Sequence, residues 1–135
     1  MPNVYLHSPL SPDELIGRVE MDGKVYESRL GPDKYIGRVE LETGKIFEHL
    51  PGPDRYIGVV ALDSGKVYRH KAAAPDDYLG RADVDGKFFH HQSLAPDDYI
   101  GSISGATDYA LAGAGFLLLI WPLVDAALHD SGEQS

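Results

Sequence analysis

The stretch YIGRVELETGKIFEH, residues 35–49, decides the fold of this chain. Two runs rich in β-branched and aromatic residues, 35–40 and 45–49, stand on either side of Gly44. Short runs of this composition, bounded by glycine, proline and acidic residues, are typical of β-strands. A glycine between two such runs suits a tight turn. The stretch therefore predicts a β-hairpin.

The same hairpin pattern recurs along the chain with a period of about 21 residues. Pro-Asp begins at positions 12, 32, 53, 75 and 96, and each copy is followed by an apolar residue and a glycine. These glycines, at 17, 37, 58, 80 and 101, are spaced by 20, 21, 22 and 21 residues. Gly-Lys begins at 23, 44, 65 and 86, always 21 residues apart. Two independent markers with one period indicate a repeat architecture.

The two ends of the array are complementary half-repeats. Val4-Tyr5 aligns with the second strand of each hairpin, whereas residues 99–103 align with the first strand. Pairing of residues 3–7 with 99–103 would complete a fifth hairpin and remove two exposed strand edges. We therefore predict a mainly β fold in which residues 1–106 form a closed ten-stranded ring or barrel with pseudo-five-fold symmetry. An open solenoid of hairpins is the alternative.

The turn residues predict specific geometries. Asp22-Gly23 and Asp85-Gly86 favour type I′ turns, which need positive φ at both central residues. The loops ending at Gly44 and Gly65 have one more residue and suit a three-residue turn with a left-handed glycine. Between hairpins, we expect Pro-Asp to form the connecting turns.

A single strongly apolar segment follows the repeats. Residues 109–124 are uncharged, and Thr107 or Asp108 is a suitable N-cap. Sixteen helical residues rise about 24 Å, less than the roughly 30 Å of a bilayer core. We predict that the helix, residues 107–128, plugs or caps the ring and that 129–135 is a polar tail. A tail anchor or a helix-mediated oligomer is the alternative. Pro122 is compatible with a kink or with the first turn of a second helix.

Four of the six histidines share one repeat position, two residues beyond the aromatic residue of the second strand: His7, His49, His70 and His91. A closed ring places them on a circle, where imidazoles can bind a small ligand or a metal. Duplication of one ancestral surface histidine is the competing explanation.

Two further sets of charged residues recur with the repeat. The Pro-Asp carboxylates can cap turns or line a cation site, and capping is the simpler interpretation. Their positions are Asp13, Asp33, Asp54, Asp76 and Asp97. The recurring arginines are expected to pair with the acidic residue two positions later: Arg18 with Glu20, Arg38 with Glu40 and Arg81 with Asp83.

Composition narrows the function without assigning it. The net charge of −9 argues against a nucleic-acid partner. There is no cysteine, so disulfides and thiolate metal sites are excluded. No catalytic or cofactor motif is present, and we predict neither enzymatic activity nor a cofactor.

The first hypothesis for the function is a non-catalytic structural or interaction module with a protein partner or self-association. The alternatives are a small-ligand or metal binder using the histidines, and a membrane-tethered or oligomerising module using residues 109–124. We expect an intracellular, cytoplasmic location, with membrane association as the alternative.

Overall fold

The computed structural model of the protein describes residues 2–105 and 108–133, with side chains for 2–105 and 108–128. Ten short strands precede one long helical segment. The strands are β1 (Asn3–Ser8), β2 (Ser11–Val19), β3 (Lys24–Glu27), β4 (Lys34–Val39), β5 (Lys45–Glu48), β6 (Arg55–Val60), β7 (Lys66–Arg69), β8 (Asp77–Ala82), β9 (Lys87–His90) and β10 (Asp98–Ser104). The helical segment consists of α1 (Tyr109–Gly115), a π-helical turn (Phe116–Ile120) and α2 (Trp121–Glu133).

The ten strands form one closed antiparallel barrel. Each strand pairs with its sequence neighbours, and β1 pairs with β10. At this junction Asn3 lies opposite Ser104, and Val4 lies opposite Ile103. The predicted closure of the array by its own ends is confirmed. Because the ring is closed, no strand edge is left unpaired.

One backbone hydrogen bond joins each hairpin turn to the next repeat. The Val39 N–H donates to the Gly23 carbonyl at 2.9 Å, and the same bond recurs at three further turns. At the junction of the two chain ends there is no turn glycine, and the Pro2 carbonyl accepts the bond from the Val19 N–H at 2.9 Å. Pro2 is therefore part of the ring.

The tight turns differ from the type I′ prediction. Gly23 has φ of 97°, but among the described non-glycine residues only Ala73 has positive φ, so Asp22 does not. The Gly23 N–H donates to the Glu20 carbonyl at 2.9 Å, and the Glu20 N–H donates to the Lys24 carbonyl at 2.8 Å. This is a three-residue loop whose last residue is a left-handed glycine, and it needs only one positive φ. The loops at Gly44 and Gly65 have the predicted left-handed glycines, with φ of 80° and 79°. Each loop contains four residues rather than the predicted three, because the Glu40 N–H donates to the Lys45 carbonyl and the Ala61 N–H to the Lys66 carbonyl, both at 2.8 Å.

The C-terminal helix fills the barrel. Inward-facing strand residues are almost fully buried: Val4, Val19, Val25, Val39, Ile46, Val60, Val67, Ala82, Phe88 and Ile103. They pack against a helical segment that is buried throughout its first two parts, Tyr109–Gly115 and Phe116–Ile120, apart from partly buried Tyr109. The predicted plug is confirmed. By length and composition Tyr109–Leu128 is also apolar enough to cross a membrane, but 61% of that window is buried inside the protein.

The π-helical turn matches the five-fold ring. Four consecutive side chains lie against the strand glycines of four different repeats: Leu117 against Gly58, Leu118 against Gly37, Leu119 against Gly17 and Ile120 against Gly101. Phe116 packs on Phe88 of the remaining repeat, with ring centroids 5.6 Å apart. Five repeats stand about 72° apart around a ring, whereas successive α-helical residues are about 100° apart. A π-helical turn has more residues per turn, so its rotation per residue is smaller and closer to the angle between repeats. It therefore places one residue opposite each repeat better than an α-helix does.

The ends of the helical segment follow local rules. The Asp108 carboxylate caps the helix by accepting a hydrogen bond from the Leu111 N–H at 3.0 Å, whereas Thr107 lies outside the described residues. Pro122 has no N–H, and the preceding Trp121 N–H donates to the Phe116 carbonyl five residues back. Proline thus follows directly on the π-helical turn and stands in the first turn of α2. α2 ends at Glu133, beyond the expected boundary at residue 128.

Candidate functional site

The outer face of the barrel carries a belt of stacked and paired side chains. The Arg38 guanidinium lies over the Phe47 ring at 4.3 Å and donates through Nε to the Asp54 carboxylate at 3.1 Å. Arg18 lies over Tyr26 and Arg81 over Phe89 in the same way, and they donate through Nη1 to Asp33 and Asp97 respectively. The arginine side chains thus cover aromatic rings on the outer face of the barrel.

The predicted pairing of these arginines along their own strands is also present. The nitrogen–oxygen distances are 3.6 Å for Arg18–Glu20, 3.9 Å for Arg38–Glu40 and 3.1 Å for Arg81–Asp83. Each arginine therefore connects an acidic residue of its own hairpin with the Pro-Asp carboxylate of the next hairpin. In the described chain these carboxylates bind arginine or histidine side chains, so the turn-capping interpretation was wrong. Pro12 and Asp13 even lie within β2.

The four candidate histidines occupy separate places on this belt. The His49 Nδ1 atom is 3.3 Å from the Asp54 carboxylate, and its ring centroid is 4.8 Å from that of Tyr35. The other three repeat this arrangement: His7 with Asp13 and Tyr99, His70 with Asp76 and Tyr56, and His91 with Asp97 and Tyr78. No group of three or more histidine or carboxylate side chains that could hold a metal occurs in the described part of the chain. The structure thus distributes the four histidines around the outside and does not bring all of them together.

Two aspartates, Asp54 and Asp77, have lowered pKa values because basic side chains donate hydrogen bonds to them. At Asp54 the hydrogen bond from Arg38 is the largest cause of a lowered pKa, and the contact with His49 adds to it. At Asp77 hydrogen bonds from Arg69 and Lys71 lower the pKa in the same way. These ion pairs favour the ionised form of Asp54 and Asp77, so neither of the two carboxyl groups is poised as a proton donor at neutral pH.

Two of the four histidines, however, line a shared groove. This histidine groove has a volume of about 600 Å³ and lies between α2 and the β9–β10–β1 part of the barrel. Its polar lining consists of His7, His90, His91, Gln92, Asp98 and Tyr99, and its apolar lining of Leu6, Pro9, Ile100, Leu123, Val124, Ala127 and Leu128. His90 packs against Trp121 with ring centroids 5.2 Å apart. Burial lowers the pKa of His90, so its imidazole is neutral at pH 7.

A second groove, the glutamate groove, also borders α2 and has a volume of about 470 Å³. Its charged lining is Glu14, Glu27 and Glu48, and its remaining lining is Leu15, Ile16, Ser28, Ile36, Leu118, Leu119, Pro122 and Leu123. Glu27 pairs with Arg29 at 3.0 Å, and Glu48 pairs with Arg55 at 2.7 Å. Among the described residues, no lysine or arginine lines either groove.

Both grooves open at one end of the barrel, which we call the loop end. It comprises the connections 9–10, 28–33, 49–54, 70–76 and 91–97, together with α2. The opposite end holds the glycine turns, where Tyr109 at the start of α1 lies against Gly65. Three leucines at the loop end are fully exposed: Leu10 at 98%, Leu30 at 105% and Leu94 at 100%. On α2, Leu123 and Leu128 are about half exposed.

Sequence reasoning missed the grooves because their shape depends on where α2 leaves the barrel. One signal for the loop end was readable, since Leu10, Leu30 and Leu94 each stand in a segment rich in proline, serine and glycine. A leucine in such a segment does not belong to a strand pattern, and an exposed leucine of this kind can indicate a binding surface. Comparison of this chain with protein-family models, with curated proteins and with solved structures finds no match.

Proposed function

We propose that the protein is a non-catalytic interaction module that binds a protein partner through the loop end of the barrel. The observation that carries this proposal is the exposure of Leu10, Leu30 and Leu94 at the end where the apolar helix α2 emerges. Scattered apolar residues are ordinary on protein surfaces, but several together around a half-exposed helix are typical of binding surfaces.

The filled interior directs binding to the outside. Phe88, Phe116 and Ile120 are completely buried where the helix meets the strands. Among the described residues, no polar or charged side chain belongs to the buried core. A barrel that binds a ligand internally needs an open lumen with a few polar groups to orient the ligand. This barrel instead resembles a rigid scaffold that presents loops, which is a common arrangement in recognition proteins.

A pair of photocrosslinking variants tests the proposal. The crosslinking residue replaces Leu30 at the loop end or, as the matched control, Val84, which is 89% exposed at the turn end. We expect a discrete protein adduct from position 30 in cells of the source organism and none from position 84. The adduct should disappear when Leu10→Ser and Leu94→Ser are added.

Because these leucines are exposed, the serine substitutions should leave the melting temperature unchanged. Equal adducts from both positions, or none from position 30, would refute a binding surface at the loop end. The mass of the adduct distinguishes a second copy of the chain from another protein.

A further inference from the structure

The two grooves beside α2 share an electrostatic character. The described residues that line them include no lysine or arginine but four carboxylates: Glu14, Glu27, Glu48 and Asp98. Within the described part of the chain, Glu14 and Asp98 form no ion pair, although Asp98 interacts electrostatically with His90. Both of these residues are exposed at the rim. The rim therefore presents unneutralised negative charge above an apolar floor.

α2 forms a ridge between these grooves. Leu123 lines both of them, Leu119 lies in the glutamate groove, and Leu128 lies in the histidine groove. A ridge with an apolar furrow on each side is the surface against which another helix packs. Amphipathic helices bind such surfaces through apolar residues spaced at i, i+3, i+4 and i+7.

We propose that the loop end binds a basic amphipathic helix of a partner protein. Its apolar residues pack along Leu123 and Leu128, and its lysines or arginines approach Glu14 and Asp98. This inference rests on the proposed function and adds the chemistry of the partner. The net charge of −9 favours the encounter with a basic segment over long distances.

Charge also argues against two other occupants. A symmetric dimer through this end places the same surface on both copies, so Glu14 and Asp98 of one copy face the like charges of the other. An anionic membrane surface repels the same carboxylates, and insertion into a neutral lipid bilayer removes them from water at a large cost. A basic partner is the occupant that neutralises them.

A series of synthetic peptides tests the partner chemistry on the full chain. The first peptide has about 18 residues, leucine at the helical spacing and lysine elsewhere. The second has glutamate in place of lysine, and the third contains the residues of the first in an order that destroys the apolar face. We expect one saturable site for the first peptide and binding at least about ten-fold weaker for the other two. Isothermal titration calorimetry at low and moderate salt measures the affinities.

Two double variants with the same change in charge separate a local site from a general charge effect. Glu14→Gln with Asp98→Asn should weaken binding of the lysine peptide about five-fold. Glu42→Gln with Asp63→Asn, in the loops of the opposite end, should leave it unchanged. Equal weakening by both pairs, or equal binding of the glutamate peptide, would overturn the proposal.

The remaining outcomes are also decisive. Dimerisation that Leu123→Ser abolishes, or co-sedimentation with phosphatidylcholine vesicles, assigns the surface to a different occupant and overturns the inference. Crosslinks at position 30 without discrimination among the peptides would refute the basic helix while leaving the interaction module in place. Absence of crosslinks from position 30 would refute the interaction module, and the inference would fall with it even if the peptides were discriminated.

Discussion

Leu118→Asp is the most direct test of the helix as the structural core of the barrel. Leu118 is 7% exposed, and its methyl groups lie against the Gly37 backbone of β4. Removal of a buried leucine side chain costs about 2–5 kcal/mol of folding free energy. Because Leu118 also lines the glutamate groove, where surrounding atoms can adjust, we expect about 3 kcal/mol for the lost side chain alone.

The introduced carboxylate adds a second cost. No lysine or arginine lines the groove beside Leu118, whereas Glu27 and Glu48 do. An unpaired buried charge destabilises a protein by about 3–5 kcal/mol. The two contributions together reach roughly 6–8 kcal/mol, which is comparable with the whole stability of about 5–15 kcal/mol for a small domain. The variant should therefore be largely unfolded or only marginally stable at 25 °C.

Circular dichroism and urea unfolding measure the effect, with Leu128→Asp as the matched control. Leu128 lies on the same helix but is half exposed, so its substitution should change the unfolding free energy by less than about 1 kcal/mol. A Leu118→Asp protein that unfolds cooperatively with the stability of the control would show that the barrel does not depend on the helix. The burial argument would then fail.

Three further perturbations test the ring and its surroundings. Deletion of residues 1–8 should destabilise the entire barrel and cause aggregation, because it exposes the edges of β2 and β10; a soluble product with unchanged cooperative melting would contradict closure. Gly37→Ala should cost about 1–3 kcal/mol in urea unfolding, because its Cβ would lie 2.4 Å from the Phe47 carbonyl oxygen, whereas Gly52→Ala, with open space around it, should cost almost nothing. Lowering the pH below about 6.5 should reduce stability through His90, because burial lowers its pKa in the folded state and the unfolded chain takes up the proton first. In His90→Gln this part of the pH dependence should be absent from urea titrations between pH 7.5 and 5.5. Asp54 and Asp77 do not interfere, because their lowered pKa values affect stability only near and below pH 3.8.

The architecture was predictable because the decisive information is repeated. Two markers with a common period define the hairpins, and the complementary half-repeats around Val4 and Ile103 specify closure. The uncharged segment 109–124 has no polar face, so burial in the ring followed from its composition. Each of these inferences uses many residues at once, which makes it insensitive to any single contact.

What could not be predicted depends on single conformations. The sequence Asp22-Gly23 is compatible with two turn types. The pairing of the two flanking strands determines which one forms, because it leaves three residues in the loop. His49 was correctly assigned to a repeated position, but the direction of its side chain depends on Tyr35 and Asp54 across the hairpin and the next loop. The grooves depend on the exit of α2, for which no local pattern exists.

The repeats depart from symmetry where the helix leaves the barrel. At the inward position of the second strand, the five repeats have similar apolar residues: Val4, Val25, Ile46, Val67 and Phe88. Two positions later they have Leu6, Glu27, Glu48, Arg69 and His90. All five of the latter border α2, since four line its grooves and the Arg69 guanidinium lies 5.7 Å from the Trp121 ring. Contacts needed for closure are the same in every repeat, so those positions stay apolar. A single helix cannot present the same face to five repeats, and neither can a single bound partner. The repeats are therefore expected to differ at the positions that meet them, as they do beside α2.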